Sequence, residues 1–285
     1  MSIKFPQSEI IPAKNDLGAL GNRINLETRS LHDKIDKLMT LKFAIAVRDP
    51  KVYRQGIQMF YHIFNTIEIC LNREMERNTR YSEMLKSIYK PAMLRTANLY
   101  QDLMFFYGDR PEKFSSPVLP KQIEFTQHIL KVTQDKPYLL LAYMHVMYLA
   151  LFAGGRIMSS KVAKSLRLFP QIEGKSFDDI QLMGTNFFKF EVEDMETLRI
   201  IYKRDYELQT RNFLTEQEKL DVIKESQFIF STNSECVKEI ETHNLERIKG
   251  KLSYQLVTKG FNALVIFIML LIMWFGAKFA RQYLQ

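Results

Sequence analysis

Three ionisable residues, Arg29, His32 and Asp36, follow one another at helical spacing near the start of the chain. Intervals of three and four residues bring a cation, an imidazole and a carboxylate to one face of a helix. Such a face could hold a metal-ligating histidine, with Asp36 orienting its ring and Arg29 meeting an anionic ligand. The alternative, which this segment taken alone favours, is an exposed row of ion pairs.

A second candidate is the segment LAYMHVMYLALFAGGRIM, residues 141–158. Its residues before the glycines carry no charge, which predicts a helix buried nearly all round, with His145 as its strongly polar member. Gly154 and Gly155 each cost a helix about 1 kcal/mol relative to alanine. Their gain is close approach of another object to a bent backbone, either a neighbouring helix or a flat ligand. A lone histidine in such a run is more often a core residue than a ligand.

The elements that must position these residues are helices, since helical spacing recurs along the chain and no strand-like alternation stands out. Proline- and glycine-containing breaks separate them, and residues 171–193 are predicted to form a long irregular connection. We expect one all-α domain, residues 19–250, after a flexible N-terminus, residues 1–18. The predicted helices are at about 18–47, 51–77, 80–107, 120–134, 138–166, 193–211 and 215–249.

Residues 261–277 contain no charge and are bounded by Lys259 and Lys278. As a helix they would span about 26 Å, which suits the thin endoplasmic reticulum membrane. We therefore predict a linker (251–260), a transmembrane tail anchor (261–280) and a short lumenal tail (281–285), with the domain in the cytosol. The alternatives are the mitochondrial outer membrane, because the tail is basic, or a buried core helix.

Composition excludes some other classes of function. The net charge is +8, but the 40 basic and 32 acidic residues are interspersed with no long basic block, so nucleic-acid binding is not expected. Two cysteines, Cys70 and Cys236, without a CxxC pair fit a reducing compartment. The N-terminal residues lack the apolar stretch of a secretory signal.

Several ordered motifs resemble the heme oxygenase family from about Ala19 to Ile240, most closely its fungal, tail-anchored branch. They are ETRSLHDKID, MFYHIFNTIE, LYQDLMFFYG, YLALFAGG, FFKF and LRIIYKRDYEL. The resemblance implies a heme oxygenase-like helical bundle with a kinked distal helix. It puts His32 on the iron of heme b, Asp36 behind the imidazole, and Gly154 and Gly155 against the opposite heme face.

The resemblance also implies further site residues, and this chain departs from the family pattern at three of its positions. Leu151 stands where relatives have an aspartate that orders distal water, His145 where tyrosine is usual, and Asn25 where lysine is frequent. The remaining contacts that it implies are Arg29, Arg199 and Lys203 at the propionate edge, Tyr61 on the next helix, and Phe230 and Asn233 on the distal side.

The function that the resemblance implies is oxidative cleavage of heme to biliverdin, carbon monoxide and ferrous iron, with heme as both cofactor and substrate. Dioxygen and electrons from NADPH-cytochrome P450 reductase would be consumed, and heme degradation would return iron for reuse. The alternative is a heme-binding or heme-sensing pseudoenzyme with peroxidase-like side activity, because Leu151 relays no proton. In the enzyme, backbone-held water or His145 would have to replace the aspartate. A cysteine nucleophile or a carboxylate metal pair is disfavoured, since Cys70 lacks an activating partner and no paired Glu-x-x-His units occur.

Overall fold

The computed structural model describes residues 12–13, 15–47, 49–165, 168–250, 259–260, 263 and 265–274. Within this part of the chain every regular element is helical, which confirms the predicted all-α class. The helices are α1 (Leu20–Glu27), α2 (Arg29–Ala46), α3 (Pro50–Glu76), α4 (Arg80–Ile88), α5 (Thr96–Tyr107), α6 (Pro120–Asp135), α7 (Leu140–Tyr143), α8 (Leu149–Ala163), α9 (Phe177–Met183), α10 (Met195–Phe213) and α11 (Glu216–Lys249).

Helix α3 is the centre of the bundle, with α4, α5 and α6 packed against it. It begins with Asp49, whose carboxylate accepts hydrogen bonds from the N–H groups of Lys51 (3.0 Å) and Val52 (3.3 Å). Pro50 follows at the first helical position, where a missing N–H is harmless. Buried apolar residues at helical spacing, including Ile63 and Ile67, then form the core.

Three of the predicted helices are divided in the structure, and the one predicted at 138–166 is divided by a π-helical turn at Met144–Tyr148. The segment predicted at 18–47 breaks at Thr28, which has φ −101° and ψ 1° and donates its hydroxyl to the Ile24 carbonyl. The segment predicted at 80–107 breaks at Pro91, where a short 3₁₀ turn separates α4 from α5. Pro91 disfavours helical geometry at the residue before it, a signal that the periodicity of the apolar residues concealed.

The connection predicted to be irregular contains α9 and a 3₁₀ turn at Asn186–Phe188. Asp102 on α5 fixes this turn by accepting hydrogen bonds from the N–H groups of Asn186 and Phe187, both at 2.8 Å. Arg95 is 2% exposed and donates to the Phe187 carbonyl at 3.2 Å, and its guanidinium carbon lies 4.4 Å from the centre of the Phe190 ring. The connection is therefore held against the start of α5.

The described chain forms two compact units, residues 1–240 and 241–285. In the second unit, residues 265–274 are helical and carry exposed apolar side chains, such as Ile266 (59%) and Trp274 (58%). None of the described helices is both long and apolar enough to cross a bilayer. Residues 251–258, 261–262, 264 and 275–285, which hold most of the predicted linker, part of the predicted anchor and the predicted tail, lie outside the described residues.

Candidate functional site

A cleft of about 540 Å³ opens between the first two helices, the α7–α8 run, α10 and α11. This volume is within the range of about 300–1,000 Å³ that is usual for sites that bind small molecules and cofactors. Its walls combine apolar side chains with a few polar and charged groups. It is lined by Pro12, Gly21, Asn22, Ile24, Asn25, His32, His145, Val146, Leu149, Ala150, Phe152, Glu196, Arg199, Lys203, Tyr206, Glu207 and Phe230.

The proximal wall, α1 and α2, presents His32 to the cleft. The His32 side chain is 63% exposed, and its ring lies edge-on to Phe230 with 5.9 Å between centroids. The Nδ1 atom lies 3.7 Å from an oxygen of Asp33, which is the carboxylate within ion-pair distance of the ring. Arg29 and Asp36 are exposed on the same helix and do not line the cleft. Their roles toward a ligand stay predictions.

The distal wall, residues 140–163, contains a π-helical turn at Met144–Tyr148 between α7 and α8. A π-helical turn shifts the backbone hydrogen-bond pattern and is frequent at functional sites. Two tyrosines of α10 support it: the Tyr202 hydroxyl donates to the Met144 carbonyl at 2.8 Å, and the Tyr206 hydroxyl donates to the Leu141 carbonyl at 3.0 Å. The irregular part of the distal wall is therefore held by tertiary contacts.

The glycine pair was expected to bend this helix, but the departure from α-helical geometry precedes it. Gly154 and Gly155 lie inside α8. A Cβ added to Gly155, which is buried, would meet no atom of the described residues within 4 Å. Leu151 is buried at 9% exposure and does not line the cleft, whereas its neighbours Ala150 and Phe152 do.

His145 belongs to the π-helical turn and lines the cleft, although it is only 8% exposed. Its Nε2 atom lies 3.0 Å from the Asn25 side-chain oxygen on α1. Its Nδ1 atom is buried and has no hydrogen-bond partner among the described residues. Burial, and then the positive charge of Lys203, lower the pKa of His145 to about 4, so the imidazole is neutral at pH 7.

The charged edge of the cleft is formed by α10. Arg199 donates from Nε to Glu196 at 2.8 Å, and this hydrogen bond raises the pKa of its guanidinium. Lys203 is half-buried and makes no ion pair within the described residues. Burial, followed by repulsion from Arg199, lowers the pKa of Lys203 from its ordinary value. The cleft thus presents one cation in an ion pair, Arg199, and one without an ion pair in the described residues, Lys203, which the Glu196 carboxylate nevertheless attracts.

The heme oxygenase family profile matches residues 18–239. The chain belongs to the heme oxygenase family. It is 37% identical to the protein named "Heme-binding protein HMX1" of Saccharomyces cerevisiae, over 87% of this chain and 84% of that one. These matches cover the whole cleft-bearing unit except its first residues.

Solved structures show the same fold. The heme oxygenase of Leptospira interrogans is 25% identical, with a TM-score of 0.64 over 78% of this chain and 99% of that one. The heme oxygenase-2 of Synechocystis, solved in complex with heme and NO, is 21% identical, with a TM-score of 0.67 over 85% of this chain and 92% of that one. The all-helical heme oxygenase fold is thereby confirmed for this chain.

The structure brings five of the predicted site residues of this heme oxygenase family member together in the cleft: His32, His145, Arg199, Lys203 and Phe230. The other predicted residues lie elsewhere. Tyr61 does not line the cleft and packs against the rings of His62, Tyr100 and Phe114, with centroid distances of 5.2, 6.2 and 5.8 Å. Asn233 is buried and donates to the Ile229 carbonyl at 2.9 Å.

Sequence reasoning missed Gly21 and Tyr206 as residues that line the cleft. Gly21 and Asn25 are four residues apart on α1, and Tyr202 and Tyr206 are four apart on α10. In each pair the spacing of four residues shows that both members lie on one face of a helix. It does not indicate what that face contacts. Tyr206 faces His145 with 5.3 Å between ring centroids.

Other chemistry finds little support in the described residues. They contain no group of three or more histidine, cysteine and acidic side chains that could hold a metal ion. Cys70 and Cys236 are buried and unpaired, and burial raises the pKa of the Cys236 thiol to about 12. A thiol with so high a pKa is a poor nucleophile at neutral pH.

Proposed function

We propose that the cleft binds heme b with His32 as the iron ligand. The observation that supports this best is the convergence of an exposed histidine and a cation without an ion pair in the described residues, Lys203, on one partly apolar cleft. A single histidine suits a metal that a macrocycle already holds, since a protein-only site needs more ligands. The Lys203 ammonium suits a propionate carboxylate, and the apolar lining residues Val146, Leu149 and Phe152 suit a flat ring.

We propose further that the bound heme is cleaved to biliverdin, carbon monoxide and ferrous iron, with dioxygen and electrons from NADPH-cytochrome P450 reductase. The heme would supply both the redox-active iron and the ring that is opened. The chain orients the ring between its two walls and excludes bulk water with Val146, Leu149 and Phe152. None of these three side chains can deliver a proton, so the proposed reaction would need water held by the backbone, or His145, in that role.

A second candidate function is heme binding or heme sensing without turnover, with peroxidase-like side activity. The absence of an acidic side chain at Leu151 favours it, because leucine neither orders water nor relays a proton. The yeast relative carries a name that states heme binding alone.

The proposed location is the endoplasmic reticulum membrane, with a C-terminal tail anchor and the cleft-bearing unit in the cytosol. Exposed apolar side chains along residues 265–274 favour contact with lipid. A reductase fixed in the same membrane would meet this chain at raised effective concentration. The alternative is the mitochondrial outer membrane. Fluorescence imaging of the chain with an N-terminal tag, with and without residues 261–285, separates the two organelles and tests the anchor.

The full chain in a mild detergent, titrated with hemin, tests the function. We expect a saturable Soret band and, after addition of NADPH, the reductase and oxygen, loss of that band with appearance of biliverdin. A stable Soret band without biliverdin under these conditions would favour the binding-only function. No saturable binding of hemin would overturn both.

A further inference from the structure

We propose that the residues before α1 hold the adjoining Ile10 and Ile11 over the mouth of the cleft and thereby slow the release of heme. The described part of this stretch, residues 12–13 and 15–18, is called the N-terminal strap. The inference rests on the proposed heme site and concerns how long the ligand stays bound. Residues 1–11 themselves lie outside the described residues.

The N-terminal strap reaches the cleft at Pro12, which is half-buried and lines it. Consecutive Cα atoms are about 3.8 Å apart, so the Cα atoms of Ile11 and Ile10 are at most about 4 and 8 Å from that of Pro12. Connectivity alone therefore keeps two large apolar side chains close to the cleft. A segment tethered so closely has a high effective concentration there, which favours it as the cover over a second copy of the chain.

The backbone of the N-terminal strap is fixed against α1 by one side-chain amide. The Asn22 Nδ2 atom donates to the carbonyl of Ala13 at 2.7 Å and to the carbonyl of Asp16 at 3.0 Å. The Asp16 N–H also donates to the Ala13 carbonyl at 2.9 Å. Because Asn22 lines the cleft, these bonds hold the strap directly beside the cleft wall.

A second attachment joins the N-terminal strap to α10. The Asp16 carboxylate accepts from Arg211 at 2.7 Å and from the Gly18 N–H at 2.9 Å, and these bonds lower the pKa of Asp16. A Cβ added to Gly18 would lie 3.0 Å from the Asp16 Oδ1 atom and 3.1 Å from the nearest Arg211 nitrogen. Glycine at this position therefore leaves room for the ion pair, and the strap is held by two helices that line the cleft.

These attachments bear on ligand release because the cover and the ligand share the cleft mouth. Part of an apolar ring seated in the cleft faces that mouth, and Ile10 and Ile11 remove it from water. The ligand leaves only after the N-terminal strap has moved aside. That movement breaks the Asp16–Arg211 ion pair, so the pair slows release without touching the ligand.

The rate of hemin transfer from the full chain in detergent to excess apomyoglobin, followed by absorbance, tests this role. Asp16→Asn removes the acceptor for Arg211 and leaves Arg211 bonded to Glu207 at 2.7 Å. Release is expected to be about two- to fivefold faster, the range for loss of one exposed ion pair. Ile10→Ser combined with Ile11→Ser should speed release by about tenfold, because the cover is lost.

A combined variant separates action through the cover from a general loosening. Adding Asp16→Asn to the two isoleucine substitutions should speed release no further, since the ion pair acts only through the segment that it holds. High salt screens an exposed ion pair, so the release rates of wild type and Asp16→Asn should converge at about 1 M salt.

Lys86→Met is the matched control. It breaks the exposed Lys86–Glu83 ion pair of 2.9 Å, Lys86 and Arg211 have the same 43% exposure, and neither Lys86 nor Glu83 lines the cleft. It should leave the release rate unchanged.

Three results would overturn the role of the N-terminal strap alone: unchanged release in Asp16→Asn and in the isoleucine variant, additive effects in the combined variant, or an equal effect of Lys86→Met. Wild-type release that slows as the concentration of the chain rises would assign the cover to a second copy and also overturn it. Wild-type chain that binds no hemin would overturn the proposed function as well.

Discussion

The proximal wall of the cleft leaves His32 mostly exposed, whereas the distal wall buries His145 and bonds it to Asn25. The distal wall is also supported by residues of other segments: the Tyr202 and Tyr206 hydroxyls of α10 and Phe190, which stacks on Phe152 with 4.8 Å between ring centroids. The distal wall is therefore preorganised by the fold, whereas the proximal wall presents the exposed His32 imidazole as a ligand. We infer that heme completes the proximal wall.

The largest expected effect is a loss of folding stability from a substitution that removes a support of the distal wall. Arg95→Met leaves buried backbone carbonyls, including those of Met93 and Phe187, without their donor and releases Phe190. We expect a loss of about 3–5 kcal/mol in the free energy of unfolding, measured by circular dichroism in urea. Arg29→Met, on the exposed proximal wall, should change it by less than about 0.5 kcal/mol. Equal losses would remove the contrast between the walls.

The second effect is a pH dependence that arises from the buried distal histidine. The pKa of His145 is about 4 in the folded chain, below its unfolded value of about 6.5. Between pH 4 and 6.5 the unfolded chain therefore binds more protons than the folded chain. The contribution of the neutral His145 to the free energy of unfolding is fully present above about pH 6.5 and is lost as the pH falls toward 4. Between these pH values, His145→Phe should lower the slope of the free energy of unfolding against pH by up to about 1.4 kcal/mol per pH unit. An unchanged slope between pH 4 and 6.5 would contradict a neutral, buried imidazole.

The third effect is on hemin affinity and concerns the charged edge of the cleft. Lys203→Met removes the cation that has no ion pair in the described residues and keeps most of the stem, so hemin should bind about tenfold more weakly, as expected for loss of one charge-assisted hydrogen bond. Heme dimethyl ester, which has no carboxylates, should bind wild type and variant alike. If the ester is weakened as much as hemin, Lys203 acts through packing and not through charge.

The smallest expected effect is on hemin affinity and concerns Arg199, the cation that is in an ion pair with Glu196. Glu196→Gln frees Arg199 from its exposed ion pair, and such pairs contribute about 0.2–1 kcal/mol. Hemin titration should therefore show binding up to about fivefold tighter, an effect that fades at high salt. Weaker binding by the variant would mean that Glu196 holds Arg199 in a productive orientation instead of competing for it.

The sequence was enough to predict the all-α class, because helical periodicity is local. The order of the motifs was enough to predict that His32 and the two cations of α10, Arg199 and Lys203, lie in one cleft. Other features could not be predicted in this way. The π-helical turn depends on the hydroxyls of Tyr202 and Tyr206, which come from another helix. The Gly154–Gly155 signal therefore pointed to the right helix but to the wrong position for its irregularity.

The breaks and pairings were also beyond local reasoning. Thr28 interrupts the proximal helix through a hydroxyl that bonds the Ile24 carbonyl, although threonine is common inside helices. Asn25 and His145 are 120 residues apart, and nothing in either segment indicates that one is the partner of the other. Such contacts depend on how the bundle packs and become visible only in three dimensions.

The most direct test of the central claim is hemin titration of full-length His32→Ala in detergent, with His243→Ala, an exposed histidine that does not line the cleft, as the control. We expect a shifted Soret band and at least tenfold weaker binding for His32→Ala, restoration of the band by added imidazole, and no change for His243→Ala. An unshifted Soret band with wild-type affinity in His32→Ala would contradict the assignment of His32 as the iron ligand.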